Sequence, residues 1–223
     1  VGKVFVVFNG EQIEGITKSA KIEIPFTQNN MVEKVVSGAA IDVKTVMQPT
    51  AFYAPAADYI GMPSQNRFKT AEDYYSTLLH EVGHWTGHAS RLNRFDDSSL
   101  TDKQTYAREE LRAELFSVFT GHKYGVAYDA GNHASYLHAY CKLLKSDSNE
   151  IFKAMADATK AMHLVEGLAE GLSLKDALSL TGHKVKETTP PKEQALTASP
   201  APLLAAPFNW NERVAMKPRV NSK

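Results

Sequence analysis

Two histidines stand four residues apart in His80-Glu81-Val82-Gly83-His84, with a glutamate directly after the first. On a helix, residues at this spacing project from one face, one turn apart. Both imidazoles can then ligate one tetrahedral ion such as zinc, or another divalent metal. Glu81 lies beside that face, where a carboxylate takes the proton of a water that the metal has made acidic. Two ligands do not complete such a site. The longer pattern HExxHxxGxxH finds its glycine in Gly87 but requires a histidine where Ser90 stands, and His88 falls two residues short. Glu110 and Glu114, again four apart, supply carboxylates instead. One ligates the metal while the other, a turn along, hydrogen-bonds a histidine ligand. Glu110 is favoured as the ligand and Glu114 as its support, with the reverse assignment as the alternative.

The remaining polar residues carry less signal. Tyr106, one turn before Glu110, and Tyr53 are candidates for a transition-state donor, although an ordinary amphipathic tyrosine is the simpler reading of each. Glu109, with Arg108 and Arg112, is expected on a solvated, salt-bridged helix face. Arg91 and Arg94, just beyond the histidine motif, are expected as surface charges. His133, His138, His163 and His183 are scattered, and Cys141 lies in an apolar helical stretch with the look of a core residue.

The elements that must position these groups follow from periodicity. Thr70-Ala71-Glu72-Asp73 is a helix start, with Thr70 as cap and acids in the first turn. Tyr74, Tyr75, Leu78, Leu79, Val82 and Trp85 then form a helical stripe carrying the motif, and Gly87 is a terminator. A second helix spans about 105–122, with Leu111, Leu115, Val118 and Phe119 apolar. Further helices fit 130–145, 148–168 and 174–180. Before Thr70 the signals are strand-like: Val4–Phe8, Asp42–Gln48, and Ala51–Met62, whose Pro55 marks an edge strand or bulged pair. Asn29 or Asn30 caps a short helix reaching Ala39. Between Gly182 and Phe208, five of the ten prolines and no glycine give an extended linker, leading to Phe208-Asn209-Trp210 and a basic end. The Phe-Asn-Trp stretch is either a docking segment or part of an unstructured tail. The chain thus divides into a sheet-rich portion, 1–69, a helical metal-site portion of the same domain, 70–183, and a tail, 184–223.

Composition sets the outer limits. The 223 residues hold 25 basic and 25 acidic side chains and are 43% hydrophobic, an ordinary globular balance that excludes a disordered or collagenous chain. No apolar run approaches the roughly 18 residues of a membrane span. One cysteine forms no internal disulfide, which favours the cytoplasm. Residues 70–128 carry 6 basic and 9 acidic side chains, suiting a metal site rather than a phosphate groove. Residues 184–223 carry 7 and 3, so a charge-driven contact is expected there.

Several segments together resemble the zincin-like metallopeptidase domain of ArdC-type antirestriction proteins, also found in TraC-type plasmid primases and phage polyvalent proteins. They are Phe8-Asn9-Gly10-Glu11-Gln12-Ile13-Glu14-Gly15, Phe52-Tyr53, Asp58-Tyr59-Ile60-Gly61-Met62-Pro63, the run from Leu79 to His88, Arg91-Leu92-Asn93-Arg94, Glu109-Glu110-Leu111-Arg112-Ala113-Glu114-Leu115, and Ile151-Phe152-Lys153-Ala154 with Ala158-Thr159-Lys160-Ala161. The likeness covers about residues 5–168. It implies an α+β, zincin-like metallopeptidase fold: a small mixed or antiparallel sheet, the HExxH helix and a C-terminal helical part. It implies a zinc-dependent peptidase whose Glu81 activates a water and whose metal is held by His80, His84 and a glutamate of the acidic helix. It further implies plasmid-borne proteins that protect incoming DNA from host restriction during conjugation, with a host protein as substrate. Single-stranded DNA is bound by an N-terminal domain, expected to lie mostly before Val1. The other reading is a single-stranded-DNA-binding protection module whose metal-holding fold is structural or regulatory.

Overall fold

The computed structural model describes residues 26–95, 103–127, 140–141, 143–182 and 204–205. The strand expected at Val4–Phe8, most of the helix expected over 130–145 and the Phe208-Asn209-Trp210 stretch lie outside these residues.

The first helix, α1 (Asn30–Gly38), starts where its cap dictates. Asn29 Oδ1 accepts from the backbone N–H groups of Met31 and Val32, both at 3.1 Å, satisfying donors that the first turn leaves unpaired. Val32 and Val35 face inward from it. Three strands follow: β1 (Val43–Val46), β2 (Phe52–Ala54) and β3 (Tyr59–Pro63). A two-residue strand from the tail, β4 (Leu204–Ala205), completes a sheet of order β1-β3-β2-β4. β1 runs parallel to β3, whereas β2 is antiparallel to both β3 and β4, so the sheet is mixed. The proline-containing run is therefore a hairpin rather than an edge. Pro55 falls in the turn between β2 and β3, where its missing N–H costs no ladder bond, and both strands have neighbours on each side.

Behind the sheet lies α2 (Ala71–Trp85), capped as its sequence requires: Thr70 Oγ1 accepts from Asp73 N–H at 3.0 Å. Every α2 residue from Thr77 to Trp85 is buried, because this helix is enclosed by the sheet and by α3 (Lys103–Tyr124). The two helices run antiparallel. Ser117 Oγ donates to Ser76 O at 3.0 Å, and further along Gly83 meets Ala113. A Cβ on Gly83 would stand 2.9 Å from Ala113 Cα, so only glycine allows this approach of backbone to backbone. Gly87 also acts by closeness. It lacks a left-handed backbone, and a Cβ there would stand 2.8 Å from the Phe95 ring.

Two further helices, α4 (Glu150–Ala169) and α5 (Leu174–Leu180), close the far side, with Ala158, Ala161, Leu164 and Val165 packed into the core shared with α1 and α2. Arg112 ties α3 to α4 through Glu150 at 2.9 Å and Asp157 at 2.8 Å. No helix among the described residues is long and apolar enough to cross a membrane.

Candidate metal centre

The antiparallel α2 and α3 face each other with His80 and His84 on one side and three glutamates on the other. Nε2 of His80 and Nε2 of His84 converge to 3.2 Å. Glu110 stands across from both, its Oε2 3.6 Å from His80 Nε2 and its Oε1 3.4 Å from His84 Nε2. These three residues each offer a ligand atom within 4.8 Å of the others, and all three are buried. Two imidazoles and a carboxylate are the donor set of a divalent site that leaves one coordination position open.

The opposite nitrogens of the two rings also meet carboxylates. Glu114 Oε2 lies 3.5 Å from His80 Nδ1, and Glu109 Oε1 lies 3.4 Å from His84 Nδ1. Each histidine thus has one glutamate behind it, while Glu110 faces the front of both. Glu114 reaches only the back of His80.

Glu109 departs from the sequence expectation. It is 6% exposed, not solvated, and Arg94 holds it through Nε to Oε2 at 3.0 Å and Nη2 to Oε1 at 2.7 Å. Consecutive residues on a helix sit about 100° apart, yet Glu109 and Glu110 are both buried, each against a different nitrogen of His84. Arg94 is not a surface charge either. It also donates to Thr86 Oγ1 at 2.9 Å and to Gly83 O at 2.7 Å. Asking for one carboxylate behind each histidine would have singled out Glu109 from the sequence; nothing in the sequence singles out Arg94.

Arg91, the other arginine after the motif, is 6% exposed as well. It donates to Trp85 O at 2.7 Å, lies 3.8 Å from the centroid of the Trp85 ring, and grips both carboxylate oxygens of Asp58. Its Nη2 donates to Tyr53 Oη at 3.1 Å, and Tyr53 in turn donates to Asp58 Oδ1 at 2.7 Å. The Tyr53 hydroxyl is therefore engaged in a buried network tying β2 to the end of α2. Burial and the Asp58 carboxylate push its pKa far above the ordinary tyrosine range. Tyr106 is partly buried against the main core.

Electrostatics distinguish the carboxylates. Burial alone raises the pKa of each, but the Arg94 charge and the His84 bond outweigh it at Glu109, which falls to about 2. The His80 and His84 imidazoles facing it hold Glu110 well below the usual range, against the effect of burial. At Glu81 burial wins over the two imidazoles and the pKa is raised. Burial lowers the histidines, yet Glu110 and Glu114 carry His80 well above its ordinary value, and Glu109 with Glu110 lifts His84 to about 9. Glu81 is 1% exposed, and neither of its carboxylate oxygens has a hydrogen-bond partner among the described residues. Glu110 Oε2 is likewise without one. Orphaned buried carboxylate oxygens cost several kcal/mol unless something polar or charged meets them, and a divalent ion with its water fits that need.

Comparison with known proteins agrees with this geometry. A family model described as zincin-like metallopeptidase matches residues 30–157. The DNA primase TraC of Escherichia coli is 40% identical over 159 residues, which is 71% of this chain and 15% of that protein. The uncharacterized protein y4eC of Sinorhizobium fredii (strain NBRC 101917 / NGR234) is 32% identical over 164 residues, 73% of this chain and 52% of that one. The chain thus spans only a minor part of TraC and about half of y4eC. The crystal structure of the antirestriction protein ArdC from plasmid R388 in its Mn(II)-bound form superposes with a TM-score of 0.60 at 35% identity, covering 76% of this chain and 63% of that chain. Its metal-free form gives 0.59 over 74% and 60%. With the motif helix, the acidic helix and strands β1 to β3 all inside the matched region, the chain belongs to the zincin-like metallopeptidase family.

Proposed function

We propose that the chain is the metal-dependent peptidase domain of an antirestriction protein of the ArdC type, which helps incoming plasmid DNA escape host restriction by cleaving a host protein. Its metal is zinc or another divalent ion, held by His80, His84 and Glu110; the Mn(II)-bound form of the similar ArdC supports a divalent ion. A bound ion of this kind lowers the pKa of water towards ~7 and polarises a carbonyl. The chain's own residues do the rest. Glu81 orients the attacking water and takes its proton at a carboxylate oxygen. Its raised pKa suits it to pass that proton on to the departing amine. Glu114 and Glu109 hold the backs of the two imidazoles.

The observation that carries this reading is Glu81 itself. A glutamate buried to 1% with both oxygens unpartnered, one residue from a three-donor cluster, is a poor way to stabilise a fold and a good way to hold a reacting water. A second reading, a metal-holding module in a protein whose task is performed on DNA, is favoured by the names of the relatives, a DNA primase and an antirestriction protein. The two separate on Glu81→Gln. In the intact protein this variant is expected to keep its metal, measured by atomic emission, and to lose both proteolysis and protection of DNA from restriction. Unchanged protection sinks the peptidase reading of the biological role.

A further inference from the structure

We propose that Arg94 and Glu109 form a positioning pair that fixes the ring and tautomer of His84 and thereby sets how tightly the site holds its ion. This rests on the metal reading of His80, His84 and Glu110.

The argument begins at Glu109 Oε1, which meets both Arg94 Nη2 at 2.7 Å and His84 Nδ1 at 3.4 Å. An ionised carboxylate only accepts. His84 Nδ1 must then carry a hydrogen, so the nitrogen left for a bound ion is Nε2, which is directed to the point where His80 Nε2 and Glu110 converge. Glu109 can orient that ring only if its carboxylate is held in place, and Arg94 holds it. The guanidinium takes the carboxylate in a two-pronged grip and gives two more donors to Thr86 Oγ1 and Gly83 O. Gly83 precedes His84 and Thr86 follows it by two. The frame that holds Glu109 is thus anchored to the same turn of α2 that carries the ring. A lysine supplies charge but not a planar fork with four fixed bonds.

A purely structural ion pair between α3 and the turn after α2 would also give most of these bonds. Two features go further. The carboxylate oxygen that faces the ring is itself bonded to the arginine, so the ring contact is inside the network. And a buried ion pair is a weak stabiliser against an apolar replacement of similar size, so holding a fold together does not by itself call for one here.

The test uses the full chain, stripped of metal, and reads Zn2+ and Mn2+ affinity by chelator competition, the visible spectrum of the Co2+-loaded protein, and the metal-free Tm. The central variant is Arg94→Met/Glu109→Gln, which removes both charges together and so avoids leaving one buried alone. It is expected to keep the metal-free Tm near that of the wild type, to bind Zn2+ about 10–100-fold more weakly, and to shift the Co2+ bands. Wild-type affinity and spectrum in a folded double variant overturn the proposal. Should the double variant fail to fold, Arg94→Lys decides: it keeps the charge and loses the fork, and undiminished Zn2+ affinity there also overturns the pair. His84→Ala separates the two levels of the argument. Lost affinity in His84→Ala with wild-type affinity in the folded double variant refutes the pair alone. Unchanged affinity in His84→Ala refutes the metal reading and the pair with it.

Discussion

Gly83→Ala is the perturbation for which the structure gives the clearest arithmetic. The added Cβ would sit 2.9 Å from Ala113 Cα and 3.1 Å from Ala113 O, while ordinary van der Waals contact begins near 3.4 Å. The shortfall is about 0.5 Å, and because the neighbour is backbone, α2 and α3 must separate by about that much. Two energies oppose. Alanine is a better helix residue than glycine by ~1 kcal/mol, and overpacking costs ~1–3 kcal/mol. Net stability therefore changes by only ~0–2 kcal/mol, in the unfavourable direction. The site is more demanding. Ala113 lies between Glu110 and Glu114 on α3, and metal–ligand distances tolerate only ~0.2 Å. A displacement of about 0.5 Å exceeds that tolerance even when the fold survives it. The assay pairs metal-free thermal denaturation with Zn2+ affinity. The expected result is a slightly lowered Tm and an affinity reduced at least about tenfold. Gly121→Ala, on α3, is the control. Its Cβ would meet nothing nearer than Val126 O at 3.5 Å, so it should gain up to ~1 kcal/mol and leave affinity alone. A Gly83→Ala protein that is more stable than the wild type and binds Zn2+ equally well refutes the claim that this close approach sets the site.

Three further outcomes follow from the same geometry. Glu110→Gln should weaken Zn2+ binding more than Glu114→Gln, whose loss should lie in the ~10–100-fold range of a group behind a ligand; chelator competition on both variants gives the order, and the reverse order makes Glu114 the ligand. Asp58 has its pKa lowered, burial being outweighed by its bonds to Arg91 and Tyr53, so its contribution to stability is present above the unfolded carboxylate value and is lost as pH falls below about 4 towards the lower folded value. Thermal scans of Asp58→Asn against wild type should therefore show a gap of ~1–3 kcal/mol near pH 7 that closes in acid, smaller than for a fully buried pair because the Asp58 side chain keeps 38% of its exposure; a gap independent of pH contradicts the ion pair. Thr70→Ala removes the α2 cap, costing ~1 kcal/mol, and should lower Tm by about 2–4 °C with no change in Zn2+ affinity, since the cap lies ten residues and about 15 Å along the axis from His80.

What the sequence disclosed is what local rules govern. Thr70 caps α2 as expected, and of Asn29 and Asn30 it is Asn29 that caps α1, because a capping side chain bonds donors two or three residues away. The two histidines and the acidic helix were legible for a similar reason: the i, i+4 spacing is a property of one helix. The structure then brings Glu110 to the front of both rings and Glu114 behind His80, a placement that depends on the antiparallel run of α2 and α3. Burial of charge was not legible. Glu109, Arg91 and Arg94 look like any surface residues beside a helix, and only tertiary packing puts each at a tenth or less of its exposure. The bonding of Tyr53 was not legible either. Its hydroxyl is committed to Asp58 across the β2–β3 turn and to Arg91 beyond α2.

The two arginines after the motif show why the pentapeptide alone does not make a site. HExxH places two rings on one face of a helix, but a ring on a helix still rotates, and the walls around it must be fixed by something else. Arg91 reaches back to β2 through Tyr53 and Asp58, and Arg94 reaches across to α3 through Glu109. Both are held to the end of α2, by Trp85 O and by Gly83 O with Thr86. One short turn thus fastens the sheet wall and the acidic wall to the helix carrying the donors. Charge completes the argument. Glu81, Glu109, Glu110 and Glu114 are all buried, and Arg94 balances one of them. Among the described residues, buried carboxylates packed this closely create a local deficit of positive charge that a nearby cation relieves. That deficit is what drives both histidine pKa values upward in the absence of metal. A divalent cation meets the same deficit from the position where the three donors converge, so the acidic excess of this helix pair is better understood as a demand for a dication than as a solvated face.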